Sequence, residues 1–227
     1  MAVAIEEEPK TTRATLPPRT RVFLHHVSWA TYLQLSNEAS NHSGVRMIYD
    51  RGRLEIVSPY PLHERLKYAL GRFVDNVVVG LRIPFEAACE SRWTREAAER
   101  GLEADETFFI SFEKLAIVGG RPADQPDDPM PDLAIEVDIS EHATDRMSVY
   151  AALGIPELWT YDGEHLRIFH LRPECGYEES PASHFLPIFA EEITSWVERA
   201  KSLDLLDWTE ALQAWVRAEL VPRRRMA

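Results

Sequence analysis

The chain has 227 residues, 45% hydrophobic and 27% charged, with a formal net charge of -12. At roughly 100–200 residues per domain this is one globular domain with an appendage, and the composition excludes wholesale disorder. The acidity disfavours a constitutive nucleic-acid coat or an anionic membrane surface, and no apolar run approaches the roughly 18 residues of a membrane span. Cys89 and Cys175 are too few for a disulfide framework or a four-ligand zinc site. With an acidic start unlike a signal peptide, they predict a protein of the reducing cytoplasm.

Residues 1–20 are polar, carry Pro9, Pro17 and Pro18, and read as a disordered arm. Ser28 is placed to cap a helix over 29–38. Strands at 47–49 and 54–57 flank Asp50-Arg51-Gly52, a hairpin turn. After the break at Ser58-Pro59-Tyr60-Pro61, the spacing of Leu66, Leu70, Phe73, Val77 and Leu81 predicts a helix over 62–81. His63, Glu64 and Lys67 fall in its first turns. Segments 85–89 and 106–111 read as strands. The charged stretch 91–101 and the Gly/Pro/Asp-rich stretch 118–130 read as loops.

The clearest strand is 133–139. Leu133, Ile135, Val137 and Ile139 share one face; Asp132, Ala134, Glu136 and Asp138 share the other. A helix over 142–153 is stopped by Gly154 with Pro156 just beyond. Strands at 157–161 and 165–171 flank Asp162-Gly163, a strong hairpin signal. Beyond Arg172 the chain reads as loop, then as two amphipathic helices marked by Ile193, Trp196, Val197 and Ala200, and by Trp208, Leu212 and Trp215. The expected organisation is an arm (1–20), an α/β domain (21–172) and a loop with a helical C-terminal extension (173–227). The α/β domain is expected to hold a mixed central sheet of about five or six strands flanked by helices.

Glu136 is the most informative residue, because a glutamate among branched apolar residues in a central strand needs a partner. Asp132 lies four residues away, about 13 Å along a strand, too far to share one metal, and reads as structural. Asp138 lies about 6–7 Å away and could line the same site. The second carboxylate should come from a neighbouring strand, and Asp105, leading the strand at 106–111, is the natural candidate. Two carboxylates in register can grip one hard cation, and magnesium is favoured, with water and a substrate phosphate completing its shell. Lysines are scarce: only Lys10, Lys67, Lys114 and Lys201. Arg65, Arg72, Arg92 and Arg95 are candidates for a phosphate-tracking patch, and Arg223-Arg224-Arg225 is a short basic tail. Trp159 reads as core.

Four segments carry a family resemblance. They are Gly52-Arg53-Leu54-Glu55-Ile56-Val57-Ser58-Pro59 with His63 following; Arg100-Gly101-Leu102-Glu103-Ala104-Asp105-Glu106; Pro131-Asp132-Leu133-Ala134-Ile135-Glu136-Val137; and Tyr150-Ala151-Ala152-Leu153-Gly154-Ile155-Pro156-Glu157-Leu158-Trp159. Together they resemble the Uma family of restriction-endonuclease-like proteins, in the PD-(D/E)XK nuclease superfamily, over about residues 25–172. The resemblance implies a restriction-endonuclease-like core that hydrolyses DNA phosphodiester bonds with magnesium, or manganese in its place. It puts Asp105 at the superfamily's "PD" aspartate, although Ala104 replaces the proline, and Glu136 at the "(D/E)" position. The Val137 carbonyl becomes a third metal ligand and His63 an auxiliary polar group.

The superfamily's lysine would fall at residue 138, which is Asp138, and the family's alternative basic position maps to Arg146. Arginine grips phosphate and stabilises charge, but with a pKa above about 12 it is a poor base. Two functions follow. The first is a magnesium-dependent endonuclease. The second is a degenerate nuclease fold that binds nucleic acid or a protein without cutting. The Trp-bearing C-terminal helices are also candidates for a homodimer contact.

Overall fold

The computed structural model describes residues 20–39, 45–58, 61–88, 91–121, 123, 127–137 and 145–226. The expected arm, apart from residue 20, and the site candidate Asp138 lie outside these described residues. The chain runs β1 (Arg21–Leu24), α1 (Trp29–Ala39), β2 (Arg46–Asp50), β3 (Arg53–Val57), α2 (Pro61–Leu81), β4 (Glu86–Ala87), β5 (Arg92–Arg95) and β6 (Arg100–Glu103). It continues through β7 (Glu106–Phe109), α3 (Phe112–Val118), β8 (Leu133–Val137), α4 (Arg146–Leu153), β9 (Glu157–Tyr161), β10 (Leu166–Arg172) and β11 (Gly176–Ser180). The helices α5 (Ala190–Ala200), α6 (Leu205–Trp215) and α7 (Val221–Met226) close it, with a π-helical turn at Val216–Leu220 between the last two.

The expected mixed sheet of about six strands is present, and an antiparallel sheet accompanies it. The antiparallel sheet, the first in chain order, runs β1-β3-β2-β6-β5. The mixed sheet, the second, runs β11-β10-β9-β8-β7-β4, and its one parallel pair is β8 with β9. Every residue of β8 is buried, as befits a strand covered on both faces. One face of β8, through Leu133, Ile135 and Val137, packs with Leu66, Leu70 and Phe73 of α2 and with Trp196, Trp208 and Leu212 of α5 and α6. The C-terminal helices therefore complete the main core. The other face, through Ala134, packs with Ile48 and Leu102 of the first sheet and with Val149 and Leu153 of α4.

Local chemistry explains the elements that match expectation. The Ser28 hydroxyl accepts the Thr31 N–H at 3.1 Å and caps α1. Arg51 and Gly52 both take positive φ, 42° and 89°, as a two-residue primed turn between β2 and β3 requires. Gly154 stops α4 in the left-handed conformation, its N–H bonded to the Tyr150 carbonyl.

Four elements depart from the sequence reading. The stretch 91–101 is not a loop: it supplies β5 and the first half of β6. Only Trp93 and Leu102 give these strands an apolar face, while Arg100 is neutralised by Asp50 at 2.7 Å and Arg92 bonds the Ser36 hydroxyl at 2.8 Å. The edge strand β11 reads as loop in the sequence, because Glu178 and Glu179, adjacent and both exposed, leave it no apolar alternation. The short helix α3 has no side-chain cap of its own at Ser111. The turn that leads into it is held by Asp132, 21 residues downstream of Ser111, whose Oδ2 accepts the N–H groups of Ile110 and Ser111 at 2.7 Å each.

Candidate active site

Asp105 sits in the two-residue link between β6 and β7, where the chain leaves the first sheet for the second. The register Glu106↔Ile135 continues to set Asp105 across from Glu136. Asp105 Oδ2 accepts the Val137 N–H at 2.6 Å, which ties the link to β8. The two carboxylates are thus cross-strand neighbours, about 5 Å apart at Cα. Asp105 is fully buried and Glu136 is 4% exposed.

Two other elements bring their first turns to this pair. His63, near the start of α2, places Nε2 3.2 Å from Asp105 Oδ2. Arg146, the first residue of α4, pairs through its guanidinium with Glu136 Oε1. One turn on, the Tyr150 hydroxyl donates to Glu136 Oε2 at 2.7 Å. The four candidates Asp105, Glu136, Arg146 and His63 therefore meet in one place, and Val137 joins them through its backbone.

The structure adds residues that the sequence did not single out. Arg46, at the start of β2, forms an ion pair with Asp105 Oδ1 and lies 3.2 Å from Glu64 Oε1. Glu64 also meets His63 Nδ1 at 3.1 Å and Lys67 Nζ at 3.0 Å. Glu55, 1% exposed, is paired with Arg21 at 3.2 Å and shares the electrostatic neighbourhood of Arg146. The alternation in β3 could have flagged Glu55, which shares a face with Val57 and opposes Leu54 and Ile56. Nothing local marks Arg46. It reaches Asp105 because β2 pairs with β6, in a register (Ile48↔Leu102) that continues to set Arg46 across from Ala104.

Among the described residues, four carboxylates (Asp105, Glu136, Glu55, Glu64) thus face four cations (Arg46, Arg146, Arg21, Lys67), and these charges balance. Burial lowers the Arg146 pKa to about 10, against the pull of Glu55, so it stays protonated at neutral pH. Burial, aided by the nearby Arg46 and Arg146, also lowers the His63 pKa and keeps the imidazole neutral at pH 7. The hydrogen bond from His63, with help from Lys67 and Arg46, draws the Glu64 pKa down to about 2 despite desolvation. Burial raises the Tyr150 pKa well above its usual value, so it remains a phenol that donates to Glu136.

Among the described residues no group of three or more His, Cys, Asp or Glu is placed to hold a metal ion. The donor chemistry still suits magnesium, which takes one or two protein carboxylates and fills the rest of its shell with water and phosphate oxygens. Asp105 Oδ1 and Glu136 Oε1 are buried without a hydrogen bond, and each is turned to a guanidinium. They are the oxygens a cation would use.

Asp132 is apart from this cluster, at the opposite end of β8, bonded to the start of α3 and to Lys114 at 2.8 Å. The proposed arginine patch is spent elsewhere. Arg65 bonds the Ala200 carbonyl, Arg72 lies 3.9 Å from Asp75, Arg92 bonds Ser36 and Arg95 bonds the Ala152 carbonyl. Arg223 pairs with Glu192 at 2.8 Å.

The chain is thus an α/β protein whose mixed sheet carries a buried carboxylate pair flanked by arginines. A family model described as "Uma2: Putative restriction endonuclease" matches residues 29–198, and the chain belongs to that family. The crystal structure of a "putative nuclease belonging to DUF820" from Anabaena variabilis is similar at 17% identity, over 84% of this chain and 99% of that one, with a TM-score of 0.45. No curated protein matches at comparable significance. No helix among the described residues is long and apolar enough to cross a membrane.

Proposed function

We propose that the chain is a metal-dependent endonuclease that hydrolyses DNA phosphodiester bonds. The observation that carries this reading is the cross-strand pair Asp105 and Glu136, with Arg146 and His63 on it. Asp105 and Glu136 would hold magnesium, or manganese in its place, with the Val137 carbonyl as third ligand. Bound there, such an ion polarises a phosphate oxygen and lowers the pKa of a water. Arg146 grips the scissile phosphate and offsets the charge that builds on it. It holds its proton and is no base. His63, neutral, donates from Nδ1 to Glu64 and stands with Nε2 beside Asp105, and Tyr150 fixes Glu136.

With a net charge of -12, DNA binding by this chain in the cytoplasm would be weak and steeply salt-dependent. A homodimer through the C-terminal helices would have to use their outer faces, such as Leu205 and Leu206, since Trp196, Trp208 and Leu212 are buried within the chain. The test is plasmid cleavage with magnesium or manganese by the native chain, Asp105→Asn and Glu136→Gln. These conservative changes keep most of the hydrogen bonds. Each should lower the rate by several kcal/mol of transition-state stabilisation, about 100-fold or more. Undiminished cleavage refutes the assignment.

The arginine at 146 favours a second reading, a nuclease fold that binds without cutting. Cleavage gained only by Arg146→Lys would support it.

A further inference from the structure

The carboxylates of the proposed metal site already have cationic partners, and the partners come from different parts of the fold. Arg46 enters from the first sheet and Arg146 from α4. Their side chains are 10% and 13% exposed, so both guanidiniums are largely buried beside the carboxylates. Arg146 Nε, buried, has no hydrogen-bond partner, so this guanidinium holds a donor that the protein leaves unspent. Buried donors left unspent are uncommon and point to a missing acceptor.

The charge balance explains why the acceptor should be anionic. Among the described residues of the cluster, the four carboxylates and four cations named above cancel. A divalent ion brought alone to Asp105 and Glu136 would displace two guanidiniums and leave them buried, close to the ion and without anions. A phosphodiester brought alone would meet guanidiniums already committed to carboxylates. Brought together, each supplies what the other removes. The carboxylates pass to the ion and the guanidiniums pass to the phosphate, for which their planar fork is well suited.

We propose that Arg46 and Arg146 form the phosphate clamp of this site, and that they release Asp105 and Glu136 to a divalent cation only as a phosphodiester takes their place. The proposal rests on the metal-site reading above and adds Arg46 as a substrate-binding residue. It makes metal and DNA obligate partners in binding, and the coupling is reciprocal by linkage.

The test uses the full chain and Mn²⁺. Mn²⁺ uptake without DNA is measured by calorimetry or by loss of the free-ion electron spin resonance signal. Binding of a short phosphorothioate duplex is measured by fluorescence anisotropy with and without Mn²⁺. A duplex with uncharged methylphosphonate linkages is the control. In the native chain Mn²⁺ should raise affinity for the charged duplex about tenfold or more, within the usual range of such couplings, and should not raise it for the uncharged one. Arg46→Met and Arg146→Met should take up Mn²⁺ without DNA at least about tenfold more tightly than the native chain, and the coupling should shrink toward none. Should a methionine variant fail to fold by circular dichroism, Arg46→Lys and Arg146→Lys keep the charge and lose the fork. They should show the same loss of coupling in smaller measure.

Equal Mn²⁺ uptake by native and arginine variants, with no coupling, overturns the clamp. Asp105→Asn and Glu136→Gln separate the two ideas. If they abolish Mn²⁺ uptake while the arginine variants change nothing, only the clamp fails. If they leave Mn²⁺ uptake untouched, or if no form of the chain takes up Mn²⁺, the metal site fails and the clamp with it.

Discussion

Asp132→Ala removes a carboxylate that is 2% exposed and that organises the start of α3. Its Oδ2 accepts the Ile110 and Ser111 N–H groups at 2.7 Å each, and its Oδ1 lies 2.8 Å from Lys114 Nζ. Hydrogen bonds to a charged group contribute about 1.5–3 kcal/mol each, and the substitution would strand the buried Ile110 N–H. The Lys114 ion pair is partly exposed and adds less than about 1 kcal/mol. The expected cost is about 3–5 kcal/mol, which in a chain of this size lowers Tm by about 10 °C. Urea unfolding should show a lower midpoint with an unchanged slope. Asp132→Asn, which keeps one acceptor oxygen, should fall between. Cleavage per folded molecule should not change. A loss below about 1 kcal/mol, or unchanged stability with lost cleavage, would refute this division of roles and return Asp132 to the site.

Three further expectations follow from the same structure. Gly101→Ala would set a methyl group 2.4 Å from the Tyr32 hydroxyl oxygen, in the stack of Tyr32 on Tyr49, and overpacking of this kind should cost about 1–3 kcal/mol in the same urea assay. His63 has a folded-state pKa below its usual 6.5, so the unfolded chain takes up the proton first. Its contribution is therefore present above pH 6.5 and is lost as pH falls through the lowered folded value, a slope in urea midpoints between pH 7.5 and 5 that His63→Gln should flatten. Truncation after Arg172 would uncover Leu66, Leu70 and Phe73, which pack on Trp196, Trp208 and Leu212, and should give a chain that aggregates in light scattering and not a smaller folded domain.

The sequence disclosed most where one segment held all the information. In β8 the alternation of Leu133, Ile135 and Val137 with Ala134 and Glu136 reports a strand buried on both faces, and a charged residue there needs a local partner. The rise along the strand, about 13 Å over four residues, excluded Asp132 from the company of Glu136 although the two share a face. It disclosed least where a residue's role is set by a distant register. Arg46 lies at the site because β2 pairs with β6, and no window of sequence records that pairing. β5 and β6 were hidden for a related reason. Arg92 and Arg100 look like loop residues until Ser36 and Asp50, from other elements, are seen beside them. The hold of Asp132 on the turn before α3 is likewise a contact between segments.

The core that seats α2 has a consequence for how the protein is made. His63 stands near the first turn of this helix, and the apolar face that holds the helix in place is covered by residues as far along as Val216 and Leu220. A growing chain can form β2, β3 and β8 early, but it leaves Leu66, Leu70 and Phe73 open to water until those last helices have been synthesised. Contacts of such long sequence separation form slowly. His63 can therefore be fixed against Asp105 only after α5 and α6 are made. A nascent product that stops before α5 and α6 would carry every carboxylate of the site without the support that orders it, so any activity of the site waits on those helices.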